Sequence, residues 1–521
     1  MFKKVWVTVV VVAVMVALSG IAGAANIPKD TLVYGVNTGI FITLDPGVCF
    51  EVIPSVVVKN IYAKLVRIEM QDGQFVVLPD LAEKWEMAED GKTWTFFLRD
   101  AKFDNGDPVT AEDVVFSLSR VVTMEKSPAW LFTDVLGLTA ESFTAVDDKT
   151  VQIVTNGMPP NVVLTNLGGS NGGIVNKDVA LANEQDGDQG QAWLTDHSAG
   201  AGPYVLKEWK RNMHLLLVAN PNYWGDAPAL KTIFIKDVPE AADQFLQLQK
   251  GDINVAHNLT GEQANELDAI DGVRLVSTPG QSDEYVGMNA GWGPFKDVRV
   301  RQAVKYAIDY DAIIERVRAG LAINNQQFLP VGYFGYVENN PYTQDLEKAK
   351  ALLAEAGYAD GFEVELVTNT TDTRKNEAII VQENLAQIGI KATVTIMQSS
   401  QMYPKFREQG INLIIAGWGV DYPDAAALSD PFANHRVNQL AWRLAWLDDH
   451  AADLAEAANK ELDEEKRAQL YDELTNYWHE NGPFAMLYQP LQFWGVSDEL
   501  KGAEEAFAGY SVHCDFTKFS K

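Results

Sequence analysis

A regular alternation of helical and extended patterns in the second half of the chain constrains the fold more than any other feature. In chain order we predict a helix at 345–356, a strand at 362–368, a helix at 376–388, and strands at 391–397 and 411–415. Helices that alternate with apolar strands in this way are typical of α/β domains. The sequence therefore predicts an α/β fold for this part of the chain.

The length and charge of the chain limit its organisation and its partners. Its 521 residues are too many for one hydrophobic core and predict roughly three domains. The polar, Gly-containing segment 184–190 is a candidate boundary between them. A net charge of −29 disfavours binding to nucleic-acid phosphates, so we expect no nucleic-acid partner.

The N-terminus has the pattern of a secretion signal. Lys3 and Lys4 precede a run of mostly apolar residues, Val5–Leu18, and small residues at 22–24 offer a cleavage site. The run is shorter than the ~20 apolar residues that span a bilayer, although a retained signal-anchor is the alternative. We predict that residues 1–25 are a cleaved signal peptide and that the mature protein is periplasmic.

Two cysteines, Cys49 and Cys514, lie near opposite ends of the mature chain. In an oxidising compartment they could form one disulfide that joins the ends of the chain. Alternatively both thiols are free and buried. The sequence leaves both possibilities open, because it does not show whether the two Cα atoms approach within the ~4.4–6.8 Å that a bridge requires.

A candidate ligand site follows an apolar strand that ends in the segment Ala416–Asp424. The pattern predicts that the strand breaks at Gly417 and Gly419 and places Trp418 and Asp421 just beyond its end. Ligands of α/β domains often bind at the carboxyl ends of strands. The alternative is local: Trp418 packs on the core, and Asp421 caps the following turn.

Motifs of the common catalytic and metal sites are absent from the sequence. The seven histidines show no HExxH spacing and there is no CxxC, so we expect no metal site. The segment 168–172 does match GxSxG, with Ser170 as the serine. That motif requires a strand before the serine and a helix after it, whereas short extended residues follow here. A secreted serine hydrolase is therefore only a remote alternative, and we expect no catalytic residue.

Several stretches together resemble the periplasmic solute-binding proteins of ABC importers, in particular the dipeptide/oligopeptide-binding family, family 5. They extend in collinear order over nearly the whole mature chain. The stretches are 81–86 (LAEKWE), 90–99 (DGKTWTFFLR), 103–117 (FDNGDPVTAEDVVFS), 202–209 (GPYVLKEW), 295–304 (FKDVRVRQAV), 306–309 (YAID), 352–358 (LLAEAGY), 384–390 (NLAQIGI) and 418–424 (WGVDYPD).

The resemblance implies a two-lobed type II periplasmic-binding-protein fold with an extra inserted domain. The lobes would close on a ligand without a cofactor. The expected divisions are lobe I at 26–54, 185–284 and 488–521, the inserted domain at 55–184, and lobe II at 285–487. This division places both cysteines in lobe I, which favours the disulfide.

The resemblance also implies site residues. Asp421 occupies the position where peptide binders of the family hold the ligand's N-terminal ammonium, and Trp418 and Val420 would line the same pocket. Phe41 and Ile42 match a ligand-facing loop of the other lobe. Arg374 is a candidate for the peptide carboxylate; its alternative is a solvated residue at a helix start.

The function implied is capture of a di- or oligopeptide by a monomer and its delivery to the transmembrane subunits of an ABC permease. The same fold could instead bind an oligosaccharide, an opine or a metal chelate, with Trp418 used for stacking. The presence of Asp421 favours a ligand with a free amine.

Overall fold

The computed structural model describes residues 27–509 and 513–521. The predicted signal peptide, residues 1–25, lies outside these residues. Within the described part of the chain, no helix is both long and apolar enough to cross a membrane.

The first lobe is built on a sheet whose central strand is Thr31–Val36. This strand pairs in parallel with Thr232–Asp237 on one side and with Val255–Ala256 on the other. The antiparallel hairpin formed by Tyr204–Lys210 and His214–Ala219 extends the sheet beyond Thr232–Asp237. The helices of this lobe are Val52–Ile61, Lys177–Ala182, Gln191–Leu194, Ala241–Lys250, Gly261–Glu266 and Ala503–Phe507.

A separate four-stranded antiparallel sheet lies within residues 55–184, the range predicted for the inserted domain, between the helices Val52–Ile61 and Lys177–Ala182 along the chain. Its strands, in spatial order, are Ala82–Met87, Thr93–Leu98, Thr150–Val154 and Phe143–Asp147. The helix Ala111–Thr123 buries Val114 and Leu118 in the same apolar cluster as Trp94 and Phe96. The other main elements are the hairpin Val66–Gln71 and Gln74–Pro79 and the helix Pro160–Leu167.

The second lobe is a mixed sheet covered by helices. Its strands, in spatial order, are Ile390–Met397, Phe362–Asn369, Leu413–Gly419, Ser282–Met288 and the first part of Phe484–Ser497. Its helices are Val298–Ala307, Tyr310–Arg318, Leu346–Glu355, Asp372–Ala386, Ser399–Arg407, Ala426–Ala433, Leu440–Arg443, Asp449–Lys460 and Glu464–Asn481. The alternation that the sequence showed therefore forms one α/β lobe.

Two crossing segments join the lobes. Val273–Pro279 pairs with residues 491–497 in the first lobe, and Ser282–Met288 pairs with residues 484–488 in the second. Between them the amide of Gly280 donates a 2.8 Å hydrogen bond to the carbonyl of Pro490. The long strand Phe484–Ser497 is thus shared by both lobes, and its middle forms the hinge region.

Local signals in the sequence account for where several helices begin and end. Residues 110–113, Thr-Ala-Glu-Asp, have the sequence pattern of a capping box, and the structure contains it, with the Asp113 carboxylate 2.9 Å from the amide of Thr110. The helix Leu346–Glu355 is stopped by Gly357, whose φ of +87° is the left-handed conformation that glycine adopts without strain.

Both cysteines belong to the apolar core of the first lobe, but both are free. Cys49 precedes the helix Val52–Ile61, whereas the carbonyl of Cys514 accepts a 2.7 Å hydrogen bond from Asn60 in the last turn of that helix. Both side chains are buried, at 0% and 1% exposure, and neither forms a disulfide. The predicted bridge is absent, and the alternative of two buried free thiols is what the structure contains.

Candidate ligand-binding cleft

A cavity of about 1290 Å³ lies between the first lobe with its inserted domain and the second lobe. One wall comes from the end of the helix Val52–Ile61 and the segment 62–64, with Arg99 and residues 223–228. The opposite wall comes from Tyr403 to Arg407, residues 417–422 and Arg443. This volume is large enough for a small peptide or a ligand of similar size.

The cavity differs from the rest of the protein in its charge. The whole chain has 42 Lys and Arg against 71 Asp and Glu. The cavity wall instead has seven basic side chains and five acidic ones, which are Lys59, Lys64, Arg67, Arg99, Arg407, Arg443 and Lys518 against Glu69, Asp80, Asp226, Asp421 and Asp515. The cleft is therefore locally cationic within a strongly anionic protein.

The strand that leads into the predicted site does not break at the first glycine. Leu413–Gly419 stays paired with Ser282–Met288 through Gly419, which lies opposite Ser282. A Cβ atom on Gly417 would lie 2.3 Å from the Glu284 carboxylate and 2.6 Å from the guanidinium of Arg374. The prediction of a break at Gly417 was therefore wrong, because this glycine makes room for a neighbouring ion pair.

Asp421 lies just beyond that strand, and its carboxylate is exposed at the cavity wall. Across residues 27–509 and 513–521, no hydrogen bond or ion pair holds it. Burial by the surrounding protein raises its pKa to about 6, and no described cation opposes this shift. An ammonium group that enters the cleft would stabilise the charged form of this carboxylate.

Asp424, three residues further along the same loop, is fully buried and paired. Its carboxylate accepts hydrogen bonds from both terminal nitrogens of Arg467, at 2.9 and 2.5 Å, and one from Asn161 of the inserted segment at 2.7 Å. Burial opposes the charged form of Asp424, but Arg467 outweighs it and holds the pKa of Asp424 below its usual value. Asp424 thus anchors the loop to the second lobe through Arg467 and to the inserted segment through Asn161.

Trp418 and Val420 are half-buried and line the cavity with Asp421. The Trp418 ring lies 5.6 Å from the guanidinium of Arg443, and its indole N–H has no hydrogen-bond partner among the described residues. The structure therefore brings three of the six predicted ligand residues together at one wall.

Arg374 is not one of the cavity residues. Its guanidinium forms two hydrogen bonds with Glu284, of 2.9 and 2.8 Å, and both side chains are only 16% exposed. Because the Glu284 carboxylate already occupies it, Arg374 is not free to bind a ligand carboxylate. It is not a solvated residue at a helix start either.

Phe41 and Ile42 do not reach the cavity. Phe41 is 4% exposed and packs edge-on against Trp209. Ile42 is 61% exposed, but it is not among the residues that line the cavity. The carbonyls of both residues accept hydrogen bonds from Arg211, which fixes this loop against the first lobe. The prediction that these two residues face the ligand is not supported, because the loop packs on its own lobe.

Two arginines that sequence reasoning did not select line the cavity on opposite sides. Arg443 is the last residue of the short helix Leu440–Arg443, and Arg99 follows the strand Thr93–Leu98. Neither belongs to a recognisable motif. Arg99 lies within one of the matched stretches, but its position at the end of a strand carries no signal of a site. Only the folded structure identifies them.

Ser170 also lines the cavity, in a short 3-10 turn. The helix Pro160–Leu167 precedes it and an extended segment follows. This order is the reverse of the strand, serine and helix that hold a nucleophile at a strained turn. The GxSxG segment therefore lacks the geometry that its chemistry requires.

Comparisons with known proteins agree with this architecture. Residues 76–439 match the family described as bacterial extracellular solute-binding proteins, family 5 Middle. The dipeptide-binding protein of Escherichia coli strain K12 is 28% identical over 517 residues, covering 92% of this chain and 93% of that protein.

Two solved structures show the same fold at 25% identity. HbpA2 from Haemophilus parasuis has a TM-score of 0.85 and covers 94% of this chain and 99% of its own. The periplasmic binding protein DppA from Helicobacter pylori, in complex with the peptide STSA, has a TM-score of 0.73 and covers 94% and 98%. These matches confirm the predicted two-lobed α/β fold.

Proposed function

The chain belongs to the bacterial extracellular solute-binding proteins of family 5, and on that premise we propose that it captures a peptide or a similar amine-bearing solute in its cleft. Proteins of this family serve ABC importers, so the captured solute would pass to the transmembrane subunits of a permease. Ligand contacts with both walls would favour the closed arrangement of the lobes by shifting the population of states.

The observation that carries this proposal is the Asp421 carboxylate. Among the described residues it has no hydrogen-bond or ion-pair partner, it lines the cavity together with Trp418, and burial already disfavours its charge. A ligand ammonium would supply the missing counter-ion, and closure of the lobes would exclude water from the pair. An ion pair in such a partly desolvated site is strong, because removing one partner leaves a buried charge uncompensated.

The first experiment identifies the ligand and tests Asp421. Native mass spectrometry of gently purified protein should show a small amine-bearing passenger. Calorimetry with peptides should then show that Asp421→Asn lowers affinity by about 2 kcal/mol or more, roughly thirtyfold. The matched control is Asp226→Asn, which removes an exposed carboxylate from the opposite wall of the same cavity.

N-acetylated peptides provide the decisive comparison. They lack the ammonium and should bind far more weakly than the free peptides. Equal affinity for the two forms would show that Asp421 does not hold an amine. A thermal-shift screen of oligosaccharides, opines and metal chelates against peptides separates the alternative solutes, because stabilisation by those classes alone would contradict the proposal.

We also propose that the mature protein is periplasmic after removal of residues 1–25. The apolar run and the small residues at the cleavage site support this proposal. Intact mass measurement of the protein released from the periplasm should give a chain that begins at about residue 26. A membrane-bound protein with its N-terminus intact would instead indicate a signal-anchor.

A further inference from the structure

The two walls of the cleft present the same unusual arrangement. On the inserted-domain side, the guanidinium of Arg99 lies 3.8 Å from the centre of the Trp224 ring. On the second lobe, that of Arg443 lies 5.6 Å from the Trp418 ring. All four side chains line the cavity. An arginine held over an aromatic ring keeps its outer nitrogens free for a carboxylate.

Neither arginine is neutralised by the protein. In the part of the chain that the structure describes, neither guanidinium has a hydrogen bond or an ion pair, and the Nε atom of each is buried without a partner. The indole N–H groups of Trp224 and Trp418 are buried and unpaired as well. Buried N–H groups normally have partners, so both walls lack an acceptor that a ligand would bring.

Nearby carboxylates do not fill this role. Burial raises the pKa of Asp80, and Arg99 is among the cations that partly oppose this shift. The Asp80 carboxylate and the Arg99 guanidinium are nevertheless beyond ion-pair distance. Around Arg443 the charged and titratable neighbours are Tyr285, Arg407 and Tyr403. Burial, together with the positive charge of Arg407, lowers the pKa of the Arg443 guanidinium, and the two tyrosines oppose this shift. Arg407 adds a second positive charge to this wall.

We infer that the ligand is an acidic peptide, which carries one free amine and at least two carboxylates. This inference rests on the proposed function and makes it more specific. The amine would pair with Asp421, and a carboxylate would bind the arginine of each wall. A neutral peptide has a single carboxylate and would leave one of the two guanidiniums desolvated and unpaired when the lobes close.

Arg211 shows what a satisfied version of the same arrangement looks like. It lies 3.5 Å from the Trp209 ring, outside the cavity, and donates hydrogen bonds to two backbone carbonyls. Its guanidinium therefore already has acceptors within the protein. This difference makes Arg211 a matched control, because its substitution removes an arginine on a tryptophan without altering the cleft.

The test measures affinity for paired peptides that differ only in one charge. The peptides are di- and tripeptides of alanine in which one residue, at each position in turn, is replaced by glutamate. Calorimetry compares each of them with the same peptide that carries glutamine at that position. We expect glutamate to be preferred by about tenfold or more in at least one pair, the effect of one hydrogen-bonded charge. The preference should persist in Arg211→Gln and fall to near unity in Arg99→Gln or Arg443→Gln, with unfolding midpoints unchanged.

Two results would overturn the inference. Equal affinity for glutamate and glutamine in every pair would show that the second carboxylate is not recognised. A preference that survives both arginine substitutions would place its recognition elsewhere. Failure of the proposed function is distinguishable, since in that case none of the peptides binds, or acetylation of their amines has no effect.

Discussion

The two ends of the segment Gly417–Asp424 are fixed by the surrounding protein, whereas its middle is not. At one end Gly417 packs directly on the Arg374–Glu284 ion pair. At the other end Asp424 is buried against Arg467 and Asn161. Between them Asp421 faces the cavity, and no residue in the part of the chain that the structure describes pairs with it. A loop fixed at both ends can hold this carboxylate in place at the cavity wall, whereas a loop with free ends would not.

The comparison also shows that two aspartates of one loop have opposite energetic roles. Interaction with Arg467 lowers the pKa of Asp424 despite its burial, so its charge stabilises the folded state. Burial raises the pKa of Asp421, so its charge opposes folding until a ligand arrives. The predictions below test this division from the largest expected effect to the smallest.

The largest effect is expected from Asp424→Ala. The substitution leaves the buried guanidinium of Arg467 without its partner, and removing one member of such a pair costs about 3–5 kcal/mol. The midpoint of urea unfolding should fall accordingly. Asp421→Ala is the matched control and should not lower it, so equal losses in the two variants would contradict the division of roles.

A smaller loss is expected from Gly417→Ala. The new methyl group would overlap Glu284 and Arg374, and overpacking of this kind costs about 1–3 kcal/mol. The control is Gly419→Ala, because nothing lies within 4 Å of the position of its Cβ atom. Thermal unfolding of the two variants gives the comparison; equal stability would mean that the ion pair moves aside without loss.

Binding of an amine-bearing peptide should depend on pH through Asp421. Only the deprotonated carboxylate pairs with the ammonium, and its pKa in the free protein is about 6. Affinity should therefore be full above this pH and fall by up to about tenfold per unit below it. Calorimetry at several pH values should show this decline in the wild type and a nearly flat profile in Asp421→Asn.

The smallest expected effect is a gain in stability from Asp421→Asn in the absence of ligand. The folded-state pKa of about 6 is above the ordinary value of 3.8, so the charge destabilises the folded state once the pH rises through that range. Because the group is exposed to solvent in the cleft, the gain at about pH 8 should be at most about 1 kcal/mol. It should vanish at low pH, where both forms are neutral; a loss at about pH 8 would contradict it.

Sequence reasoning succeeded for features that depend on near neighbours. The capping box at Thr110 and the helix stop at Gly357 follow from residues within a few positions of each other. The location of Asp421 beside Trp418 at the end of a strand was also predictable, because a short loop cannot carry them far apart.

It failed where the partner of a side chain lies elsewhere in the chain. Arg374 is a plausible carboxylate ligand until Glu284, 90 positions away, is placed against it. Phe41 turns into its own lobe because Trp209 lies beside it. Arg99 and Arg443 were missed for the converse reason: their importance is that no carboxylate within residues 27–509 and 513–521 forms an ion pair with them.

The sequence by itself determined the order of strands and helices, the α/β class and the loop that carries Asp421, since these follow from periodicity and local hydrogen bonding. Only the tertiary structure decided which charges are neutralised and which remain available to a ligand. The reason is physical: an ion pair forms between groups a few ångströms apart, and that distance is set by how distant segments pack and not by their spacing along the chain.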